Sequence, residues 1–130
     1  VKQLQLTQKV LFTGFLGGTD KLAALVDADV VVQTSRYEHH AWAPFEAVLC
    51  GTPIIVSSHT GAGEEVKRLD AGYTVNVEDS QNTAGTINNI LEDPSEAVAK
   101  TRQAAAYIRQ HLSLQSNIQK YEKVYLDCIN

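Results

Sequence analysis

Short runs of β-branched residues alternate along this chain with segments of helical character, and this alternation restricts the fold more than any other feature. The runs Val30–Val32 and Ile54–Val56 are continuously apolar, which is typical of strands buried on both faces of a parallel sheet. Helical segments follow them at Pro44–Leu49 and Glu64–Leu69. The order strand, helix, strand, helix predicts an α/β fold with an open parallel sheet flanked by helices.

The remaining elements are predicted from caps, turns and periodicity. We expect a short strand at Val10–Thr13 and a helix at Asp20–Val26, whose N-terminus Thr19 or Asp20 would cap. Tyr73–Val77 alternates between apolar and polar residues as an edge strand does. The helices expected after it are Thr83–Leu91, a longer one that begins at Ser95, and a last one that follows a break near Ser113 and runs through Leu126.

Composition excludes several classes of protein. The 130 residues form one domain's length of chain, and the net charge of −4 provides no basic face for nucleic acid. No apolar run is long enough to cross a bilayer. Two distant cysteines, Cys50 and Cys128, favour a reduced, cytoplasmic protein over a disulfide scaffold. Methionine is absent, so we expect this chain to be cut from a longer polypeptide.

The segment from Glu38 to Glu46 holds the residues with the clearest chemistry. It leaves a predicted buried strand and enters a helix that Pro44 opens, since proline has no N–H to satisfy there. The free N–H groups of that first turn and the helix dipole suit a phosphate. Glu38 would accept hydrogen bonds from sugar hydroxyls, and Glu46 would either cap the turn or bind a ribose diol.

These two glutamates belong to a longer series of motifs in a fixed order. The series resembles the C-terminal, donor-binding domain of the retaining glycosyltransferases called group 1 or family four. Those enzymes have two Rossmann-like domains, the GT-B architecture. The matching segments are Phe12-Thr13-Gly14, Ala28-Asp29-Val30, Thr34-Ser35, Glu38 with Glu46-Ala47, Cys50-Gly51-Thr52-Pro53, Gly61-Ala62-Gly63-Glu64-Glu65 and Gly72-Tyr73-Thr74-Val75.

The resemblance implies a role for each matching position. Glu38 becomes the catalytic residue that contacts the transferred sugar, and Glu46 binds the ribose. The loops near Gly14 and Ser35 lie at the donor base. Sugar and diphosphate are contacted by the backbone of the loop residues His40, Ala41, Trp42 and Ala43.

The same resemblance implies the reaction. The donor is a nucleotide-diphosphate sugar, and the glycosyl group is transferred with retention of configuration to an acceptor that is a glycan, a lipid or a small molecule. No metal site and no cofactor beyond the donor are expected, because protein groups meet the charge on the leaving diphosphate. Nucleic acid is not an expected partner.

Two departures from the family's pattern limit what this chain can do. Where the family has Glu-Gly-Phe-Gly-Leu, this sequence has Glu38, His39, His40, Ala41 and Trp42, so Cβ atoms replace hydrogens next to the ligand. The family's diphosphate-binding Arg and Lys, its first βα units and its acceptor-binding N-terminal domain are absent. Residues 1–130 are therefore expected to be a partial domain that is inactive alone. We expect it to be cytoplasmic, or to be held at a membrane surface through the missing domain.

Several alternatives stay open from the sequence. The altered loop also fits a non-catalytic module that binds a nucleotide-sugar or a protein partner, and an epimerase or a phosphorylase shares the general architecture. Trp42 either stacks on a sugar or fills the apolar base of the loop. The adjacent His39 and His40 lack the further ligands that a metal site requires, whereas one of them is suited to donate to a phosphate or sugar oxygen.

Overall fold

The computed structural model describes residues 1–129, and from the first helix onward its elements follow the predicted order. In chain order they are α1 (Gly18–Asp27), β1 (Val31–Gln33), α2 (Ala43–Cys50), β2 (Ile54–Ser57), α3 (Gly61–Leu69), β3 (Tyr73–Val75), α4 (Ser80–Glu92), α5 (Ser95–His111) and α6 (Leu114–Ile129).

The three strands form a parallel sheet in the order β1-β2-β3. Ile55 in the middle of β2 lies opposite Val32 of β1 on one side and Tyr73 of β3 on the other. Every residue of β2 is buried, so its apolar run reads as a strand covered on both faces. The predicted α/β fold with an open parallel sheet is confirmed.

Apolar side chains cover both faces of β2. Because side chains alternate along a strand, Ile54 and Val56 pack in one cluster with residues of α2, α3 and α5. Ile55 points to the opposite face and packs with Val75, Ile90 of α4 and Ala97 of α5. Helices therefore lie on both sides of the sheet, and α5 contributes to both clusters.

The predicted strand at Val10–Thr13 is wrong. These residues are irregular, and the side chains of Leu11 and Phe12 are 85% and 79% exposed. A strand requires a neighbour for its backbone N–H and C=O groups, and no strand within residues 1–129 pairs with this segment. Its apolar composition is therefore insufficient to make it a strand here.

The expectation that Val30–Val32 is buried on both faces is also wrong. The strand β1 is an edge of the sheet within the described residues, and Val32 is 38% exposed. Burial of a strand depends on its neighbours, which a run of valines does not specify. Tyr73–Val77, by contrast, was correctly assigned to an edge strand, although β3 ends at Val75.

The observed starts of three helices differ from the prediction. Gly17 precedes α1 and makes no side-chain cap, so neither Thr19 nor Asp20 caps that helix. The helix α3 begins at Gly61, three positions before the predicted Glu64, because Thr60 accepts a hydrogen bond from the Gly63 N–H and caps it. Pro44 is the second residue of α2 rather than the first.

The last helix, α6, packs loosely, mainly against α5. None of its residues is buried, and Tyr121 and Tyr125 are 66% and 70% exposed. No helix within residues 1–129 has both the length and the apolar character needed to cross a membrane.

The central position of β2 predicts the effect of truncating its side chains. Ile55 is fully buried, whereas Val32 beside it is 38% exposed. We expect Ile55→Ala to lower the free energy of unfolding by about 2–5 kcal/mol, because it leaves a cavity between two covered faces. Val32→Ala is the matched control and should cost less than about 1 kcal/mol. Urea unfolding of both variants is the measurement, and equal losses would contradict the assignment of β2 as the core strand.

Candidate functional site

The candidate site is built on the loop that leaves β1 and enters α2, and its segment from Glu38 to Trp42 is called the 38–42 loop below. In α2, the Glu46 N–H donates to the carbonyl of Trp42 at 3.0 Å. Within residues 1–129, the N–H groups of His40, Ala41, Trp42 and Ala43 donate no hydrogen bond. Free amides at a helix start form a site for an anion, and the helix dipole adds a partial positive charge.

Glu38 lies at one end of this loop and is held by the start of α3. Its Oε1 accepts a hydrogen bond from the N–H of Ala62 at 2.9 Å, and its backbone carbonyl accepts one from Gly61 at 3.4 Å. The second carboxylate oxygen, Oε2, is buried and has no hydrogen-bond partner within the described residues. A buried carboxylate oxygen without a donor is costly, so Oε2 is the atom of Glu38 that still requires a hydrogen-bond donor.

Glu46 lies on α2 and bonds to a different element. Its Oε1 accepts a hydrogen bond from Lys21 Nζ of α1 at 2.7 Å, and the two side chains are 37% and 40% exposed. Glu46 therefore does not cap its own helix, which has no side-chain cap. The two glutamates of the motif are thus held by α3 and α1. The motif itself does not indicate that these helices supply the partners.

The aromatic side chains of the loop contact one another. The His40 ring stacks on Phe45 with centroids 6.0 Å apart and meets the edge of Trp42 at 5.0 Å. Trp42 is 71% exposed, so the alternative in which its indole fills the apolar base of the loop is wrong. His39 turns the other way and lies 2.9 Å from the Tyr37 hydroxyl.

Gly14 and Ser35, the two residues assigned to the donor base, are not bonded to the 38–42 loop within the described residues. Gly14 has a φ of +71° with open space around it, a conformation that glycine adopts without strain. The Ser35 hydroxyl accepts a hydrogen bond from Gln33 Nε2 at 3.3 Å. No hydrogen bond within residues 1–129 joins either residue to the 38–42 loop. Their assignment to the donor base stays a prediction.

A groove that the sequence did not predict lies beside the loop, with a volume of about 190 Å³. It lies between α2, α3 and α5, and its walls are mainly apolar, formed by Leu49, Leu69 and Ile108 together with the rings of His40, Trp42 and Phe45. The i, i+4 spacing of Phe45 and Leu49 is a weak signal for one wall. The opposite wall comes from α5, about sixty positions away, so the groove follows from tertiary packing alone.

Glu65 stands at the edge of this groove and is paired. Its Oε2 accepts a hydrogen bond from Arg68 Nε at 2.8 Å, and Arg68 also lies 5.9 Å from the centre of the Tyr107 ring. The hydrogen bond from Arg68 holds the pKa of the Glu65 carboxyl below its ordinary value, although partial burial opposes this shift. The groove therefore has an ionised but neutralised carboxylate at its rim.

Within the part of the chain that the structure describes, no group of three or more His, Cys, Asp or Glu side chains is placed to hold a metal ion. The expectation that the chemistry is independent of metal stays a prediction.

Comparison with known proteins identifies the family. Residues 1–110 match the family described as glycosyl transferases group 1. The chain belongs to this family. The glycogen synthase of Mycobacterium tuberculosis is 31% identical over 115 residues, which cover 88% of this chain and 28% of that protein.

Solved structures agree with the fold. The sucrose-phosphate synthase of Thermosynechococcus elongatus matches with a TM-score of 0.83 at 26% identity, over 98% of this chain and 32% of that one. HepE of Anabaena, solved in complex with UDP-glucose, matches with a TM-score of 0.83 at 28% identity, over 95% of this chain and 34% of that one. The chain therefore spans about a third of the length of the proteins that it matches.

The pair of Glu65 and Arg68 predicts a dependence of stability on pH. The folded-state pKa of Glu65 is lowered from an ordinary value of 4.5, so the unfolded chain takes up its proton first as the pH falls. The pair therefore stabilises the fold above about pH 4.5 and loses this effect as the pH falls through the folded-state pKa.

Unfolding by urea at pH 7 and at pH 3.5 measures this effect. We expect Glu65→Gln to lose less stability than the wild type between the two pH values, because the glutamine does not titrate. Glu122→Gln, at an exposed position of α6, is the control and should follow the wild type. A Glu65→Gln variant with the wild-type pH dependence would show that the pair does not contribute.

Proposed function

We propose that this chain is the donor-binding part of a glycosyltransferase that takes a nucleotide-diphosphate sugar as its donor. One observation carries the proposal: the amides of residues 40–43 are free at the start of α2. They lie between two glutamates that other elements hold in place, Glu38 by α3 and Glu46 by α1. Such a donor has a diphosphate between two groups rich in hydroxyls, the ribose and the sugar. The amides of the site are suited to bind the diphosphate, and the two carboxylates are suited to bind the hydroxyls.

The three parts of the donor are divided among these groups. The diphosphate binds the amides of His40, Ala41, Trp42 and Ala43, which stabilise the charge that develops when the glycosyl bond breaks. The ribose hydroxyls bind Glu46, whose carboxylate Lys21 orients. A hydroxyl of the transferred sugar donates to Oε2 of Glu38, the buried oxygen without a partner. Binding of UDP-glucose by HepE of Anabaena supports a donor of this class.

The complete enzyme extends beyond these residues in this proposal. The matched proteins are about three times as long, and β1 and the exposed Leu11 and Phe12 leave apolar surface uncovered. A further domain binds the acceptor, which is a glycan, a lipid or a small molecule. Transfer proceeds with retention of configuration and without an essential metal.

Two free cysteines support a cytoplasmic location, with contact to a membrane through the other domain as the alternative.

A non-catalytic binding module is the second candidate. It is favoured by the hydrogen bond that Oε1 of Glu38 already makes to α3 and by the ion pair that Glu46 makes with Lys21, because both carboxylates are partly used within the protein. Product analysis of the longer polypeptide with nucleotide-sugars separates the two candidates. Transfer or hydrolysis of the sugar would exclude the inert module.

Because Glu38 is assigned to the sugar and Glu46 to the ribose, substitution of each should lower the affinity for a different set of ligands. Glu46→Gln should weaken the binding of UDP and of UDP-glucose alike, because the ribose is common to both. Glu38→Gln should weaken UDP-glucose alone. Each loss should be about tenfold or more, since a hydrogen bond to a charged group contributes about 1.5–3 kcal/mol. Isothermal titration with UDP, UDP-glucose, ADP-glucose and GDP-mannose measures the affinities and identifies the base.

Glu92→Gln, at an exposed position near the end of α4, is the control and should bind each nucleotide as the wild type does. Equal binding of UDP-glucose by the wild type and the Glu38→Gln variant, within about twofold or ~0.4 kcal/mol, would remove the assigned role of Glu38. A wild type that binds no nucleotide-sugar in the full polypeptide would overturn the proposed function itself.

A further inference from the structure

The first turn of α3 is bonded to the 38–42 loop more closely than a neighbouring helix requires. A helix start leaves its first N–H groups without partners inside the helix. Here Glu38 takes two of them, the Gly61 N–H through its carbonyl at 3.4 Å and the Ala62 N–H through Oε1 at 2.9 Å. The Gly63 N–H donates to the capping hydroxyl of Thr60 at 3.2 Å. The amides of this turn are therefore satisfied, and mainly by the loop.

Gly61 allows this close approach. A Cβ atom at that position would overlap the carbonyl of His39, and backbone offers no flexible end that can move aside. Gly61 does not have a positive φ, so glycine is required here for space and not for backbone conformation. Any larger residue must push the loop away from α3.

The helix that holds the loop is itself firmly packed. Ala62 and Val66 of α3 are each 1% exposed and belong to the main core cluster. The neighbouring Gly63 lies against the backbone of Ser57 and Ser58, where a Cβ would overlap. Loops are usually the mobile parts of a fold, so two bonds to a buried helix start limit the directions in which the amides that follow Glu38 can point.

We propose that the first turn of α3 positions the 38–42 loop for its ligand, with Gly61 and Ala62 as positioning residues. Gly61 sets the distance between loop and helix by lacking a side chain, and Ala62 orients the Glu38 carboxylate through its N–H. Oε1 is thereby occupied and Oε2 is left for a sugar hydroxyl. The consequence for donor binding rests on the proposed function, whereas the geometry of the loop does not.

Gly61→Ala tests this proposal, with Gly85→Ala as the matched control. Gly85 lies in α4 with open space where its Cβ would be, so alanine there affects neither the core nor the loop. Trp42 is the one tryptophan of the chain and lies in the loop, so its fluorescence reports loop geometry directly. We expect Gly61→Ala to change the emission maximum and the acrylamide quenching of Trp42, while its circular dichroism spectrum stays that of the wild type. Gly85→Ala should leave the Trp42 signals unchanged.

Affinity for UDP-glucose is the second measurement. Gly61→Ala should weaken it by about tenfold or more, as loss of one charge-assisted hydrogen bond does, and Gly85→Ala should not. Gly61→Ala should also weaken the binding of UDP, because displacement of the loop moves the amides proposed to bind the diphosphate, whereas Glu38→Gln is expected to spare UDP. An unchanged Trp42 signal in Gly61→Ala, or a loss of affinity confined to UDP-glucose, would overturn the positioning role.

Hydrogen exchange in the unmodified protein keeps the test decisive if Gly61→Ala does not fold. The Ala62 amide should exchange far more slowly than the free amides of His40 and Trp42, and Glu38→Ala should remove part of that protection. Equal exchange rates at Ala62 and His40 would contradict the proposal. A protein that shows the expected Trp42 and exchange behaviour but binds no nucleotide-sugar would instead contradict the proposed function and leave the positioning contact in place.

Discussion

Burial of the central strand is the constraint on which the rest of this structure depends. The strand β2 pairs with a neighbour on each side and is covered by helices on both faces, so it takes apolar side chains at Ile54, Ile55 and Val56. Parallel strands require crossover connections, and here those connections are helices. The carboxyl ends of the strands consequently lie at one edge of the sheet, where the loop after β1 meets the helix that follows β2.

The chemistry of the site follows from the contact between the loop after β1 and the start of α3. A glutamate in a flexible loop would be an ordinary surface carboxylate, but Glu38 is held at the start of α3 by backbone amides. The same contact leaves one carboxylate oxygen buried and unpaired. Beyond it, the amides that enter α2 are free. Anchored acceptors beside free donors at a helix start form a polar surface whose shape is set before a ligand binds, which lowers the cost of binding.

Features that depend on near neighbours in the chain were accessible from the sequence. The positions of the apolar residues located α4 and α5, Pro44 located α2, and the continuous run at Ile54–Val56 located β2. Features that depend on distant residues were not. Val10–Thr13 has the composition of a strand but finds no partner among the described residues, and the valines of β1 lie at an edge. The same limit applies to the apolar groove, whose opposite wall comes from α5.

The sequence alone determined the fold class, the order of the elements from α1 onward, and the membership of Glu38 and Glu46 in one motif. Periodicity and motif spacing are local properties, which a single chain displays without any knowledge of its packing. Tertiary structure decided that Glu38 bonds to Ala62, that Glu46 bonds to Lys21 and that Trp42 is exposed. These contacts join residues up to 25 positions apart, and only the packing of helices against the sheet brings such residues together.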